Sequence, residues 1–279
     1  MRKILFPTDF SETSNNAFVY ALKLAENINA ELITLHVYEL PIIDMSYTDV
    51  PVYQAEVYES LELNNFENFK DQIPMLRKIA EQHKLAHIKM SNMMLQGDLV
   101  TNIIQTVKDE FIDYVVMGTG GASGLKEFFI GSTTASVMTG TNALVLGVPA
   151  NSEYEPIKKI GFTTQFTIEE LDALRKLIPL AKGFDADIEC VFVKSNDNEV
   201  NEVIIADWKV IFKEEKVNFH IIESKDVENT IVDFVNLHKI NILAMLNQKR
   251  SFWEGLFHTS LTKKMAFHLK IPLLALHND

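Results

Sequence analysis

The residues with the strongest claim on chemistry are glycines and hydroxyls in one loop. Gly118-Thr119-Gly120-Gly121 is followed nine residues later by Gly131-Ser132-Thr133. The loop leaves a hydrophobic run, Ile112 to Met117, and opens onto a stretch with helical character from Ser132. A strand–glycine loop–helix junction is a setting that can hold phosphate. Glycines let the backbone approach an anion closely and take up positive φ. The start of a helix offers unpaired N–H groups and the positive end of its dipole. Gly131 would let a phosphate reach those N–H groups, and Ser132 and Thr133 would add hydroxyl donors. The spacing is neither that of a P-loop nor that of the usual dinucleotide fingerprint. Asp9, just past the first hydrophobic run, is the second candidate, as a ligand-binding carboxylate or as a helix cap. Lys126 and Glu127 within the loop read as a solvated pair, with phosphate or metal contact as the alternative.

These groups need a scaffold that brings strand ends together. Ile4 to Pro7 reads as a first strand, followed by a polar turn from Asp9 to Ser14 and a helix from Asn15 to about Asn29. Leu32 to Tyr38 is nearly continuous in apolar residues, as suits a parallel strand buried on both faces. Residues 39–53 are irregular and contain Pro41 and Pro51, and residues 54–84 have helical spacing. A third strand is expected over His87 to Leu95, a helix over Leu99 to Val107, and a fifth strand over Ala143 to Val148. Strands alternating with helices in this way predict an open, mostly parallel doubly wound α/β sheet.

After Pro149 the order restarts. Ile4 matches Ile160 and Ala30 matches Ala186, both at a separation of 156 positions. Asp98 matches Asp226 and Met117 matches Met245, both at 128. Constant separations on either side of one step indicate a tandem duplication with 28 extra residues in the first half, within roughly residues 39–86. The expected units are residues 1–150 and 156–279. The second copy lacks the chemistry of the first. Leu246, Lys249 and Thr259 stand where the first half has Gly118, Gly121 and Gly131, Gln165 replaces Asp9, and only Ser132 is kept, as Ser260. A bulky Leu246 would block close backbone approach, and a β-branched Thr259 is poorly suited to positive φ.

Gly118-x-x-Gly121, nine residues, then Gly131-Ser132 resembles the nucleotide motif of the ATP-binding universal stress proteins. Phe6-Pro7-Thr8-Asp9-Phe10-Ser11 resembles that family's opening, His36-Val37 the end of its second strand, and Gly97 fits before the third helix. The resemblance covers residues 1–148 well and 156–279 more weakly; Leu144 departs from it, where the pattern usually has Pro. It implies two tandem five-stranded sheets of the adenine nucleotide alpha hydrolase-like kind. It places Pro7, Thr8 and Asp9 on the adenine or ribose side, Val37 at the adenine edge, Met117 and Gly118 along the ribose and phosphate path, and Gly121, Gly131, Ser132 and Thr133 around the phosphates. The implied ligand is ATP, with Mg2+ as its companion, although no carboxylate is clearly placed to hold the metal. The halves would pack as an intramolecular pseudo-dimer through their fifth strands, with a homodimer of tandem chains as a further option.

Composition bounds the rest. The chain has 279 residues, a formal net charge of -12 and one cysteine. An acidic surface disfavours nucleic acid and anionic membranes. A single cysteine, Cys190 in an apolar run, excludes an internal disulfide and suits a core strand in a reducing cytoplasm. The apolar start Ile4-Leu5-Phe6 is ended at once by Pro7-Thr8-Asp9, so no leader is expected. His83 and His87 lie four apart, but Leu85-Ala86 is expected to end the helix between them, so no metal pair is expected. His258 is a minor candidate for phosphate contact in the second half, and Phe252-Trp253 is either a contact patch or a cover for an empty pocket. Methionines 90, 93 and 94 read as core. The expected function is a tandem universal stress protein that binds ATP in its first half and acts in the stress response as a binding or signalling protein. A slow ATPase or ATP-dependent transferase, and an interaction module without nucleotide, stay open; no general base is evident near the phosphates.

Overall fold

A computed structural model describes residues 1–40, 52–120, 131–195, 202–246 and 270–277 of the chain. In the first half, β1 (Arg2–Pro7), α1 (Glu12–Ile28), β2 (Ala30–Tyr38), α2 (Val52–Gln82), β3 (Met90–Gln96), α3 (Leu99–Asp109), β4 (Tyr114–Thr119), α4 (Ser132–Gly140) and β5 (Leu144–Pro149) follow one another. The second half repeats the alternation with β6 (Lys159–Thr163), α5 (Ile168–Phe184), β7 (Asp187–Lys194), α6 (Glu202–Ile211), β8 (Val217–Glu223), α7 (Val227–His238), β9 (Ile242–Leu246) and β10 (Leu273–Leu276).

The continuous apolar runs are strands covered on both faces. Ile4, Leu5 and Phe6 of β1 and Ile160 and Phe162 of β6 are fully buried. The strands form one sheet in the order β3-β2-β1-β4-β5-β10-β9-β6-β7-β8. Every neighbouring pair is parallel except β5 with β10, where Leu146 lies opposite Leu274 in antiparallel register. Each half is therefore a five-stranded parallel sheet with the same strand order, and the two meet at their fifth strands.

The repeat is visible in the registers. Lys3 pairs with Glu31 and Lys159 with Asp187, keeping the separation of 156. In the third strands Leu32 pairs with Met90 but Ile188 with Val217, so those strands match at one position less than 128. The expected single step is thus two steps, the second being one residue between the third strand and the third helix.

Some boundaries differ from expectation for local reasons. α1 starts at Glu12, three residues early, because the Ser11 side chain accepts from Ser14 N at 3.2 Å and caps it. β3 starts at Met90, not His87, because a turn with Lys84 at φ 60 follows α2 and Ile88 N bonds back to Leu85 O. Most of the irregular segment 39–53 lies outside the described residues. Cys190 is 1% exposed on β7, and burial raises its thiol pKa well above the ordinary value, which leaves it a core residue rather than a nucleophile. Among the described residues no helix is long and apolar enough to cross a membrane.

Candidate functional site

In the first half, β1 is followed in space by β2 on one side and β4 on the other. This is the point where the strand order reverses, and a crevice opens there beyond the carboxyl ends of the strands. A cleft of about 180 Å³ fills it, lined by Pro7, Thr8 and Asp9 after β1, Val37 of β2, Met117 and Gly118 of β4, and Gly131 and Thr133 at the start of α4. That is smaller than the roughly 300–1,000 Å³ of a typical ligand pocket, so a larger ligand would lie partly in the open mouth. The sequence-derived residues Pro7, Thr8, Asp9, Val37, Met117, Gly118, Gly131 and Thr133 thus come together from four elements. Ser132 is exposed in the first turn of α4 and is not part of this lining. Gly121, Lys126 and Glu127 lie outside the described residues.

Sequence reasoning missed Ser11, Thr13, Ser14, Leu99, Gly120 and Thr134, which complete the wall. Only Gly120, at φ 98, carries a backbone signal that could have found it. The polar side of the cleft is ordered from within. Thr8 is 6% exposed, and its Oγ1 accepts from Ser14 Oγ at 2.8 Å and from Phe10 N at 3.0 Å. Its carbonyl accepts from His36 Nδ1 at 2.9 Å, which fixes the proton on that nitrogen. Asp9 is exposed and accepts from Ser11 N at 3.0 Å. Its carboxylate therefore braces the turn, while Ser11, not Asp9, caps α1.

Two glycines act for different reasons. A side chain on Gly118 would put its Cβ 3.1 Å from Thr13 O and 3.0 Å from Thr13 Cγ2, so β4 and α1 approach closely enough that a larger residue would press on Thr13. Gly131 has φ -56, which any residue adopts, so the expectation that it needs positive φ is corrected. A Cβ there would meet no described residue within 4 Å. Gly131 is also the N-cap of α4, and among the described residues no side chain caps that helix. The first intrahelical bond is Ala135 N to Gly131 O, and the N–H groups of Ser132, Thr133 and Thr134 find no acceptor among the described residues. An anion is the natural one. Asp9 is the only titratable group among the described lining residues.

In the described part of the equivalent place, the second half carries a residue that sequence reasoning overlooked. Glu170 occupies the position of Ser14 at the separation of 156. It is 7% exposed, and its Oε2 accepts from Thr164 Oγ1 at 3.0 Å, Gln165 N at 2.7 Å and Thr167 N at 3.0 Å. Burial raises its pKa, against the opposing pull of these hydrogen bonds. The carboxylate thus takes up the donors at the end of β6, and Thr167 and Glu170 form a reciprocal capping box on α5. Leu246 is 4% exposed at the end of β9. Lys249, Thr259, Ser260, His258 and Phe252-Trp253 lie outside the described residues. Glu170→Ala should cost roughly 1–3 kcal/mol of stability, because three donors lose their acceptor; urea denaturation measures it, and Glu170→Gln should recover part of the loss.

Known proteins resemble this chain in family and fold. The model of the Universal stress protein family matches residues 1–149. Universal stress protein MJ0577 of Methanocaldococcus jannaschii is 31% identical over 155 residues, which are 53% of this chain and 94% of that protein. Universal stress protein YxiE of Bacillus subtilis is 29% identical over 135 residues, 48% of this chain and 90% of that protein. Each therefore spans about half of this chain. The crystal structure of a universal stress protein from Archaeoglobus fulgidus superimposes with a TM-score of 0.71 at 19% identity, covering 99% of this chain and 96% of that one, a likeness of fold along both halves. With its first half matched by the family model and its whole length sharing the fold, the chain belongs to the universal stress protein family.

Proposed function

We propose that the chain binds ATP in the cleft of its first half and acts as a nucleotide-dependent binding or signalling protein in the stress response. The observation that carries this reading is the start of α4, uncapped among the described residues, at a strand switch point and beside hydroxyls and glycine. Phosphates would accept from the free N–H groups of Ser132, Thr133 and Thr134 and from the Thr133 hydroxyl. Pro7, Thr8, Asp9 and Val37 would hold the adenosine end, with Met117 and Gly118 between the two and Gly121 as a further phosphate contact. The donor set suits a polyphosphate more than a resident metal. Asp9 is the one carboxylate on the described lining, and it braces its own turn, so Mg2+ would arrive with the nucleotide.

The unit that binds is residues 1–150; residues 156–279 form a companion in which Glu170 and Leu246 fill the equivalent place. The antiparallel pairing of β5 with β10 supports reading the tandem chain as the covalent counterpart of a two-fold dimer. Binding is favoured over hydrolysis because the described lining offers a single titratable group. We place the protein in the cytoplasm, where one buried thiol is at ease.

Nucleotide released from purified protein and identified by mass spectrometry is the deciding experiment. ATP is the expected species, at no more than one per chain. Absence of any nucleotide, with no change in melting temperature at millimolar ATP, would leave the fold as an interaction module without ligand.

A further inference from the structure

At the opposite end of the sheet, the second half gathers three metal-binding side chains. Glu189 lies on β7 and is 4% exposed. It shares a face with Val191 and Val193, which pack in one cluster with Phe234 and Val235 of α7. His220 comes from β8, and its Nε2 lies 2.7 Å from Glu189 Oε2. His238 ends α7; its ring stacks on Phe234 at 4.2 Å and meets His220 at 4.6 Å. One ligand atom from each of the three lies within 4.8 Å of the others. No short spacing announces this cluster, because its members are on three elements.

We propose that Glu189, His220 and His238 form a site for a transition metal ion of the Zn2+ class. Two imidazoles and one carboxylate are a donor set that zinc accepts, with a fourth position left for water. The distances are within reach. Zinc–ligand bonds of about 2.0–2.2 Å put tetrahedral donors about 3.3 Å apart, so the Glu189–His220 contact opens by about 0.6 Å and the longer separations close by side-chain rotation. The His220 side chain is 28% exposed, which gives an ion and its water a path in. Lys159 Nζ lies 3.4 Å from the other carboxylate oxygen, Glu189 Oε1, and would hold the ligand in place from behind.

The bland alternative is that the cluster only satisfies a buried glutamate. Lys159 and His220 already do that, and His238 adds nothing to it. The internal repeat strengthens the case. By strand register Ile33 stands where the second half has Glu189, and Met93 where it has His220. At the separation of 128, Glu110 stands in the place of His238 and ion-pairs with Lys3 at 2.8 Å. The scaffold therefore folds with two apolar residues and one surface ion pair at these places. Nothing in the packing demands a carboxylate and two imidazoles.

The full-length chain, stripped of metal by chelator and dialysis, is titrated with ZnCl2 by calorimetry, and with Co2+ by visible absorbance. One ion per chain is expected, with the absorbance of a low-coordinate cobalt site. His220→Ala and His238→Ala should each weaken binding at least tenfold. Glu189→Ile combined with His220→Met, which installs the residues of the first half, should abolish it while far-UV circular dichroism stays unchanged. Gly131→Leu should leave metal binding intact, which separates this site from the nucleotide reading. Undiminished zinc affinity in the His220→Ala/His238→Ala double variant, or no binding by the wild type at 100-fold excess zinc, overturns the proposal.

Discussion

Gly131→Asp should remove most of the ATP-dependent stabilisation without weakening the protein in the absence of nucleotide. Both parts follow from one position. Gly131 is the N-cap of α4, its backbone is at φ -56 and ψ 153, and a Cβ there would meet no described residue within 4 Å. Aspartate is among the best N-cap residues and glycine a weaker one, so the free protein should gain a few tenths of a kcal/mol. The same carboxylate would take the N–H groups offered to phosphate and add a negative charge beside it. The loss of ATP affinity should be about a hundredfold. A ligand at a hundred times its Kd stabilises by roughly 2.7 kcal/mol, and a hundredfold weaker one at the same concentration by only about 0.4 kcal/mol. Calorimetric melting with and without a fixed ATP concentration reads both effects. A full ATP shift in Gly131→Asp would show that phosphate is not held at the start of α4. Gly118→Leu is the contrasting variant: its Cβ would press on the Thr13 backbone at 3.1 Å and the rest of the side chain would need further room, so it should lower the stability of the free protein as well.

The two glycines show how much of the site was legible. Their place at a strand–loop–helix junction can be read from the hydrophobic run before Gly118 and the helical stretch after Gly131. Why each is glycine cannot be read, because the close approach at Gly118 and the surroundings of Gly131 are tertiary facts. The same divide explains Glu170. As a residue in the first turn of a helix it looks like an ordinary capping-box glutamate, and it is one. Its second role depends on Thr164 and Gln165 lying against it at the end of β6. Glu189, His220 and His238 were invisible for a related reason: they converge through strand register and helix packing, at separations of tens of residues. The fold itself was legible in outline, since unbroken apolar runs and matching offsets carry both the parallel strands and the duplication. The start of α1 was missed because Ser11 looks like one more polar turn residue until its hydroxyl is seen to accept from Ser14 N.

Leu274→Ala should destabilise the chain by roughly 2–5 kcal/mol and do so for both halves at once. Leu274 is 1% exposed on β10, between β9 and β5, opposite Ala244 on one side and Leu146 on the other. It belongs to a hydrophobic cluster that contains Phe6 and Phe18 of the first half together with Phe162 and Phe192 of the second. Behind that cluster the helices touch as well. A Cβ on Gly183 of α5 would sit 3.0 Å from Asn27 O of α1, so the two helices meet at backbone distance. A core shared in this way couples the halves, and a cavity at the seam takes contacts from each. Both tryptophans, Trp208 and Trp253, are in the second half, whereas far-UV circular dichroism reports helices and strands throughout. In urea the fluorescence and dichroism transitions of the wild type should therefore coincide, and Leu274→Ala should shift them together. Two separated transitions, with only the fluorescence signal moved by the variant, would mean that each half keeps its own core. The cleft at the end of β1 would then owe nothing to the second half, whereas a single shared transition makes the second copy part of what holds the first in shape.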